Sequence, residues 1–316
     1  MSKIRVLVAN EPEPIGGVTC WRMYWPLDHL DRNYSDSLEI RYSRGQIIPA
    51  DLYWADILLC YRPSEPAHIA VMEEAKRVGC IILLDYDDDL TSLPTGHPEF
   101  WRLGQKHQYI QRAHELADAV WVSTEALAKK STNQNTTVIP NAIPPERLPM
   151  APADFSKKTV VWAGSPAHAD DATAMKDEYR KIIGIADRFI WINHMPTWAG
   201  SMKAKADVQL SPWIHTEQYF QWLRAQGVVA IWKPLITSEF NKSKSNIAYI
   251  TATLCGAVCV SNQAGSEQWE FALRYFPKSQ AEFLKAWEMA RADVFAHYDL
   301  HRWNDVRHRE LLKLAP

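Results

Sequence analysis

Short apolar runs alternate with longer amphipathic stretches along the whole chain. Residues 4–9 (IRVLVA) read as a buried strand, followed by the loop EPEPIGG and a helix-like stretch over 18–30. Residues 38–42, 56–60 (DILLC), 80–85 (CIILLD), 119–123 and 137–140 are strand-like, and 66–78 and 100–117 have helical spacing. Residues 143–158 (IPPERLPMAPADFSKK) carry four prolines and no periodicity, which marks a linker. The alternation then restarts. Strands are expected at 159–163 (TVVWA), 188–193, 228–235 and 257–261, and helices at 170–186, 218–225, 243–254 and 279–314, with Gly256 as a C-terminal helix cap. Near-continuous apolar strands separated by helices imply parallel sheets covered on both faces. Two such arrays predict an α/β chain of two Rossmann-like, doubly wound domains facing across a cleft. Their expected bounds are 1–145 and 158–297, with a C-terminal helix over 298–316 packing back on the first domain.

At 316 residues the chain has room for two domains of ordinary size, each with its own core. Lys plus Arg number 35 and Asp plus Glu 37, so nucleic acid could be held only by a local patch and not by an overall basic field. Cys20, Cys60, Cys80, Cys255 and Cys259 sit in or beside apolar runs without a CxxC pair, as expected of buried free thiols in a reducing cytoplasm rather than of a metal site. The N-terminus reads as a strand, not a signal peptide, and no apolar run is long enough to span a membrane. Of the 14 tryptophans, most belong in cores, while a few are suited to stacking on a sugar or base ring.

Five strand-end loops carry candidate chemistry. Gly16-Gly17 follows the first strand, where glycines let a backbone approach a ligand and a helix start favours an anion; a tight turn needs the same residues. The spacing is not GxGxxG, which argues against a dinucleotide-dependent dehydrogenase or epimerase. Arg22, one turn into that helix, belongs either at the cleft or on the surface. Asp85-Tyr86-Asp87-Asp88-Asp89 puts four carboxylates at the end of the strongest strand. They are tolerable when solvated, when capping amides, or when bound to something cationic or hydroxylated. Asp87 and Asp88 are the expected acceptor-side or general-base groups, with His97 of Gly96-His97-Pro98 as a proton-transfer candidate. A divalent cation is compatible with the cluster but not required. The loop Gly164-Ser165-Pro166-Ala167-His168 precedes a helix and suits a phosphate. Phe240-Asn241-Lys242-Ser243-Lys244-Ser245-Asn246 offers two lysines, hydroxyls and helix amides as a diphosphate seat, without the GxxxxGK of a Walker loop.

These segments together resemble a known family. KPLITSEFNKSKSNIAYITATLCGAVCVSNQAG is similar to the donor-binding stretch of family-4-like retaining glycosyltransferases of the GT-B fold. WVSTEALA with VIPNAI resembles the end of the first domain in the same proteins. LLDYDDDL and WAGSPAHADD resemble the forms found in bacteriophage glycosyltransferases. The resemblance implies a nucleotide-diphosphate-sugar donor on the second domain. Lys242, Lys244 and Ser245 would meet the diphosphate, Gly164, Ser165 and His168 would lie near the donor, and Gly16-Gly17 would face it. Asp87, Asp88 and His97 would lie on the acceptor side. There are two departures: Thr251 stands where the family has a ribose-binding glutamate, and the loop after Gly164 has no basic residue. No separate cofactor is expected. The implied activity is sugar transfer to a hydroxyl, with a hydroxymethylated pyrimidine in phage DNA as one acceptor, its base extruded with the help of Arg41, Arg44, Arg62, Lys76, Arg77 and Lys106. The alternatives are a surface glycan or its lipid-linked precursor, and a binding protein that has lost catalysis.

Overall fold

The structure is a computed structural model that describes residues 3–9, 17–43, 47–97, 100–101, 106–164, 168–262 and 272–315. Eleven strands form two separate sheets among these residues. The first has the order β2-β1-β3-β4-β5-β6, built from β1 (Ile4–Val8), β2 (Leu38–Tyr42), β3 (Ile57–Tyr61), β4 (Ile81–Tyr86), β5 (Ala119–Val122) and β6 (Thr136–Val138). The second has the order β11-β10-β7-β8-β9, built from β7 (Thr159–Ala163), β8 (Arg188–Ile192), β9 (Asp207–Ser211), β10 (Val228–Trp232) and β11 (Val258–Val260). Every strand pairing is parallel.

Strand alternation sorts the core into layers on both faces of each sheet. In the first sheet, Val6, Val8, Leu59, Leu83 and Trp121 pack under Leu27, Leu30 and Leu311. The intervening Leu7, Leu58, Cys60, Leu84 and Val120 face Ile69, Met72, Ile110 and Leu116. In the second, Val160, Trp162, Phe189, Trp191 and Trp232 meet Tyr179, Ile183 and Phe283 on one face. On the other, Val161, Ile190, Ile231 and Cys259 meet Leu223, Tyr249 and Ile250. Trp121, Trp162, Trp191 and Trp232 are all sealed from water, so these four serve packing and not ligand stacking. The five cysteines are buried thiols with no disulfide between them.

The strand order reverses between β1 and β3 in the first sheet and between β7 and β10 in the second. In doubly wound sheets the crevice outside the carboxyl ends of the strands at such a point is where ligands bind. The residues just past those ends are Arg62 after β3, Asp87 after β4, Gly164 after β7 and Lys233 after β10.

The helix after β1 reads as one stretch in sequence but changes pitch. It is α-helical at Gly17–Thr19, π-helical at Cys20–Tyr24 and α-helical again at Trp25–Asn33. The wider turn carries Trp21 and Trp25 onto Phe220 of the second half, at centroid distances of 6.1 and 5.8 Å. The stretch 239–254 divides into a one-turn helix, Glu239–Lys242, started by a Ser238 cap on Asn241 N, and Ile247–Leu254, so the helix expected over 243–254 begins only at Ile247. The stretch 170–186 likewise divides into Ala169–Ala174 and Lys176–Ile185. The tail divides into Gln280–His297 and Leu300–Leu314, the latter restarted by an Asp299 cap. That last helix donates from Asn304 to the Pro26 carbonyl of the first half. Gly256 has a φ of 75°, and a Cβ there would stand 2.8 Å from Ala153 N, so the helix ends on a glycine that also lets the linker pass. No helix among the described residues is long and apolar enough to cross a membrane.

Candidate functional site

A cleft of about 310 Å³ opens between the two sheets at these strand ends, a volume typical of small-ligand sites. Gly17, Trp21, Asp87 and Asp88 line it from the first half. Gly164, His168, Lys233, Lys244, Ser245 and Thr251 line it from the second, over an apolar floor that includes Ile192, Tyr219 and Ile231. Of the residues expected from sequence, Gly17, Asp87, Asp88, Gly164, His168, Lys244, Ser245 and Thr251 therefore share one cavity. Gly16 and Ser165 lie outside the described residues.

Two expected residues sit elsewhere. Lys242 is on the outer face of its short helix, half exposed and paired with Glu239 one turn back at 2.6 Å. The break in the helix at Ser243 is what separates it from Lys244. His97 packs edge-on against Phe240 at 5.3 Å and borders a small void with Asp170, Asp171 and Asn241 instead of the cleft. Closeness in sequence to the carboxylate run did not bring its ring to the cavity.

The carboxylate run is buried and answered by cations, residue by residue. Asp85 forms a fully buried two-pronged pair with Arg22, at 2.8 Å to Nε and 2.7 Å to Nη2. Arg22 is thus a structural partner under the sheet, not a cleft cation. Asp87 accepts from Tyr61 Oη at 2.9 Å and Arg62 Nε at 2.5 Å. Asp88 accepts from Arg62 Nη2 at 2.6 Å and, across the cleft, from Lys244 Nζ at 3.1 Å. Asp89 meets Lys130 at 2.6 Å. Arg62 does this from a left-handed backbone conformation, φ 47°, which a non-glycine residue adopts only when its surroundings hold it there. Burial raises the Asp87 carboxyl, with Arg62 only partly offsetting it. Burial would raise Asp88 as well, but Lys244 and Arg62 outweigh it and bring Asp88 down to about 2.

On the opposite wall three nitrogen groups converge. Burial, reinforced by the Lys244 charge, lowers Lys233 to about 8. Burial and then the charges of Lys233 and Lys244 push His168 down to about 3. Its Nδ1 lies 2.9 Å from Asp171 Oδ2. Asp171 is fixed in turn by Ile236 N and Asn241 Nδ2, both 2.9 Å from Oδ1. Asn241 of the lysine loop therefore acts indirectly: it anchors the carboxylate that orients His168. Gly164 passes so close to the ring of Trp162 that a Cβ would lie 2.7 Å from it, which explains a glycine at this strand end. Lys233 escaped the sequence reading because it interrupts a run, VVAIWKPL, that otherwise reads as one strand. The available signal was a lone charge, followed by proline, at the carboxyl end of a wholly apolar strand.

Lysines that repel one another beside a histidine kept uncharged are an arrangement that added negative charge would relieve. The free amides at the start of the helix Ile247–Leu254 add to it. No family model matches the chain, and no curated relative does. Solved structures of similar architecture include Anabaena Alr3699/HepE in complex with UDP-glucose, with TM-score 0.68 and 12% identity over 99% of this chain and 100% of that one. The catalytic domain of starch synthase IV from Arabidopsis thaliana, bound to ADP and acarbose, has TM-score 0.56 and 11% identity over 99% and 95%. A TarM mutant from S. aureus, in complex with fondaparinux, α-GlcNAc-glycerol and UDP, has TM-score 0.55 and 12% identity over 82% and 55%. At this identity the likeness is one of fold. The chain has the GT-B fold: two Rossmann-like, doubly wound halves facing across a cleft.

Proposed function

We propose that the protein transfers a sugar from a nucleotide-diphosphate sugar to an acceptor hydroxyl, with the donor seated on the second half. The observation that carries this is the convergence of Lys233 and Lys244 at the strand-end cleft, beside an apolar floor that includes Ile192, Tyr219 and Ile231. The three solved structures above have a nucleotide or nucleotide sugar bound in this fold, which supports the same choice of ligand here. The bond from the sugar C1 to the β-phosphate oxygen breaks and its electron pair stays on that oxygen. Lys233, Lys244 and the helix amides stabilise the charge that develops there. The acceptor oxygen bonds to C1, and its proton passes to the departing phosphate oxygen, giving the retained configuration that the sequence resemblance implies. Asp88, held by Arg62, stands on the acceptor side, and its pair with Lys244 fills the anion position until the donor arrives. We divide the chain accordingly into an acceptor half, 1–145, a donor half, 158–297, and a C-terminal helix, 298–316, that docks on the first.

A glycan hydroxyl fits the acceptor role better than a base in duplex DNA. The described members of the basic set are each engaged by carboxylates: Arg41 with Glu39, Arg62 with Asp87 and Asp88, Lys76 with Asp118, Arg77 with Glu74 and Lys106 with Glu65. Arg44 lies outside the described residues. Phosphate contacts draw on unpaired cations, and the described members of this set are all paired. The test is a mass-spectrometric screen of UDP-, ADP- and GDP-sugars with three acceptor arms: glycan, lipid-linked glycan and hydroxymethylated DNA. We expect one donor to be consumed and a glycan to gain the sugar. Neither binding nor turnover of any donor would sink the reading, and transfer to the DNA arm alone would overturn the acceptor choice.

A further inference from the structure

We propose that His168 takes up a proton when the diphosphate of a nucleotide sugar enters the cleft, changing from a hydrogen-bond acceptor into a third cation on the leaving group. This rests on the sugar-transfer reading and gives His168, which the resemblance sets only near the donor, a protonation role at that site.

The geometry starts with the tautomer. Asp171 is ionised: burial opposes this, but His168, the Ile236 amide and Lys233 together hold its carboxyl below the usual range. An ionised carboxylate only accepts hydrogen bonds, so the proton of the neutral imidazole must be on Nδ1, facing Asp171 Oδ2 at 2.9 Å. Asp171 cannot turn away, because Ile236 N and Asn241 Nδ2 both grip its other oxygen. That leaves Nε2 as a bare lone pair, with no partner among the described residues, on a side chain 16% exposed in the wall of the cleft.

A bare nitrogen is the wrong group to present to phosphate oxygens, since acceptor would meet acceptor. The charged groups facing His168 are Lys233 from the end of β10, Lys244 from the loop before the helix Ile247–Leu254, Asp171 on its own helix and Asp88 from the first half. In the free protein burial and the two lysines keep the ring uncharged. A diphosphate compensates both lysines and adds negative charge beside Nε2, so the same terms that expelled the proton now favour it. With Nδ1–H on Asp171 and Nε2–H on the phosphate, the imidazolium bridges a fixed carboxylate and the ligand. The proton comes from solvent, so binding consumes one.

The experiment is isothermal titration calorimetry of the full chain at pH 6.5 with UDP-, ADP- and GDP-glucose, in buffers of different ionisation enthalpy. These ligands are diphosphate diesters that do not titrate near neutrality, and Lys233 is already charged at that pH, so the protons counted belong to the cleft. We expect uptake of about one proton, its loss in His168→Gln, and binding weakened about 10- to 100-fold in that variant, the range for a charge-assisted hydrogen bond. Because a variant can misfold, 15N-histidine spectra of the wild-type chain supply a second readout: Nε2 of His168 should move from the unprotonated to the protonated range on adding the ligand. Binding without uptake, uptake that survives in His168→Gln, or an unmoved Nε2 overturns this inference and leaves sugar transfer standing. Failure of all three ligands to bind overturns both.

Discussion

Lys233 illustrates how one residue's setting decides its chemistry. It follows five buried residues of β10 and ends in the cleft, so its amine is desolvated and faces Lys244. A lysine brought down to about 8 is charged at pH 7 and loses its charge as the pH rises through 8. Protonated Lys233 is the form that attracts a diphosphate, so donor affinity should fall above pH 8, by at most about tenfold per unit, on top of any fall due to His168. In Lys233→Met this step near pH 8 should vanish, as read from binding titrations between pH 7 and 9.5; an unchanged step would assign it to another group. Gly164 makes a steric prediction of the same kind. Its added Cβ would strike a buried indole that has nowhere to move, so Gly164→Ala should cost about 1–3 kcal/mol in thermal or chemical denaturation. A neutral result would mean that the strand end relaxes freely.

At the scale of elements, the lysine loop shows why spacing alone did not separate two neighbours. A helix running unbroken from Ser243 would have put Lys244 in its first turn, with Lys242 just ahead of it at the same mouth. Instead, the one-turn helix that the Ser238 cap starts stops at Lys242, which leaves Lys244 on a loop lining the cleft. Lys244→Ala should therefore weaken nucleotide-sugar binding about 10- to 100-fold, while Lys242→Ala, which loses only an exposed pair with Glu239, should change it less than twofold. Equal effects in a side-by-side titration would contradict the placement. The same scale explains what the sequence made legible. β1, β3 and β4 are buried on both faces along nearly all their length and read as near-continuous apolar runs, broken only by Arg5 and Asp85. β9, DVQLS, is an edge strand exposed along most of its length, so it left no hydrophobic signature and was missed. The helix break at Met175 was invisible because no glycine or proline marks it. The glycine-marked end at Gly256 was plain.

At the scale of the whole molecule, the two halves are held by a mixed contact. Trp21 and Trp25 insert beside Phe220, while the Lys244–Asp88 and Lys130–Glu239 pairs and the Thr124 hydroxyl on the Ser243 carbonyl bridge the rim. The cleft was legible because both arrays announced their strand ends; which loop residues turn into it was not, since that depends on side-chain pairing across halves. His97 and Lys242 lie outside it, while Lys233 enters. In the proposed reading, Lys233 and Lys244 hold a diphosphate between the two sheets. A crystal structure of the full chain with a bound nucleotide-diphosphate sugar tests it most directly. Phosphate oxygens are expected about 2.7–2.9 Å from both amines, with the base on the floor beside Tyr219. A diphosphate bound elsewhere, or one in the cleft that neither amine touches, would contradict it.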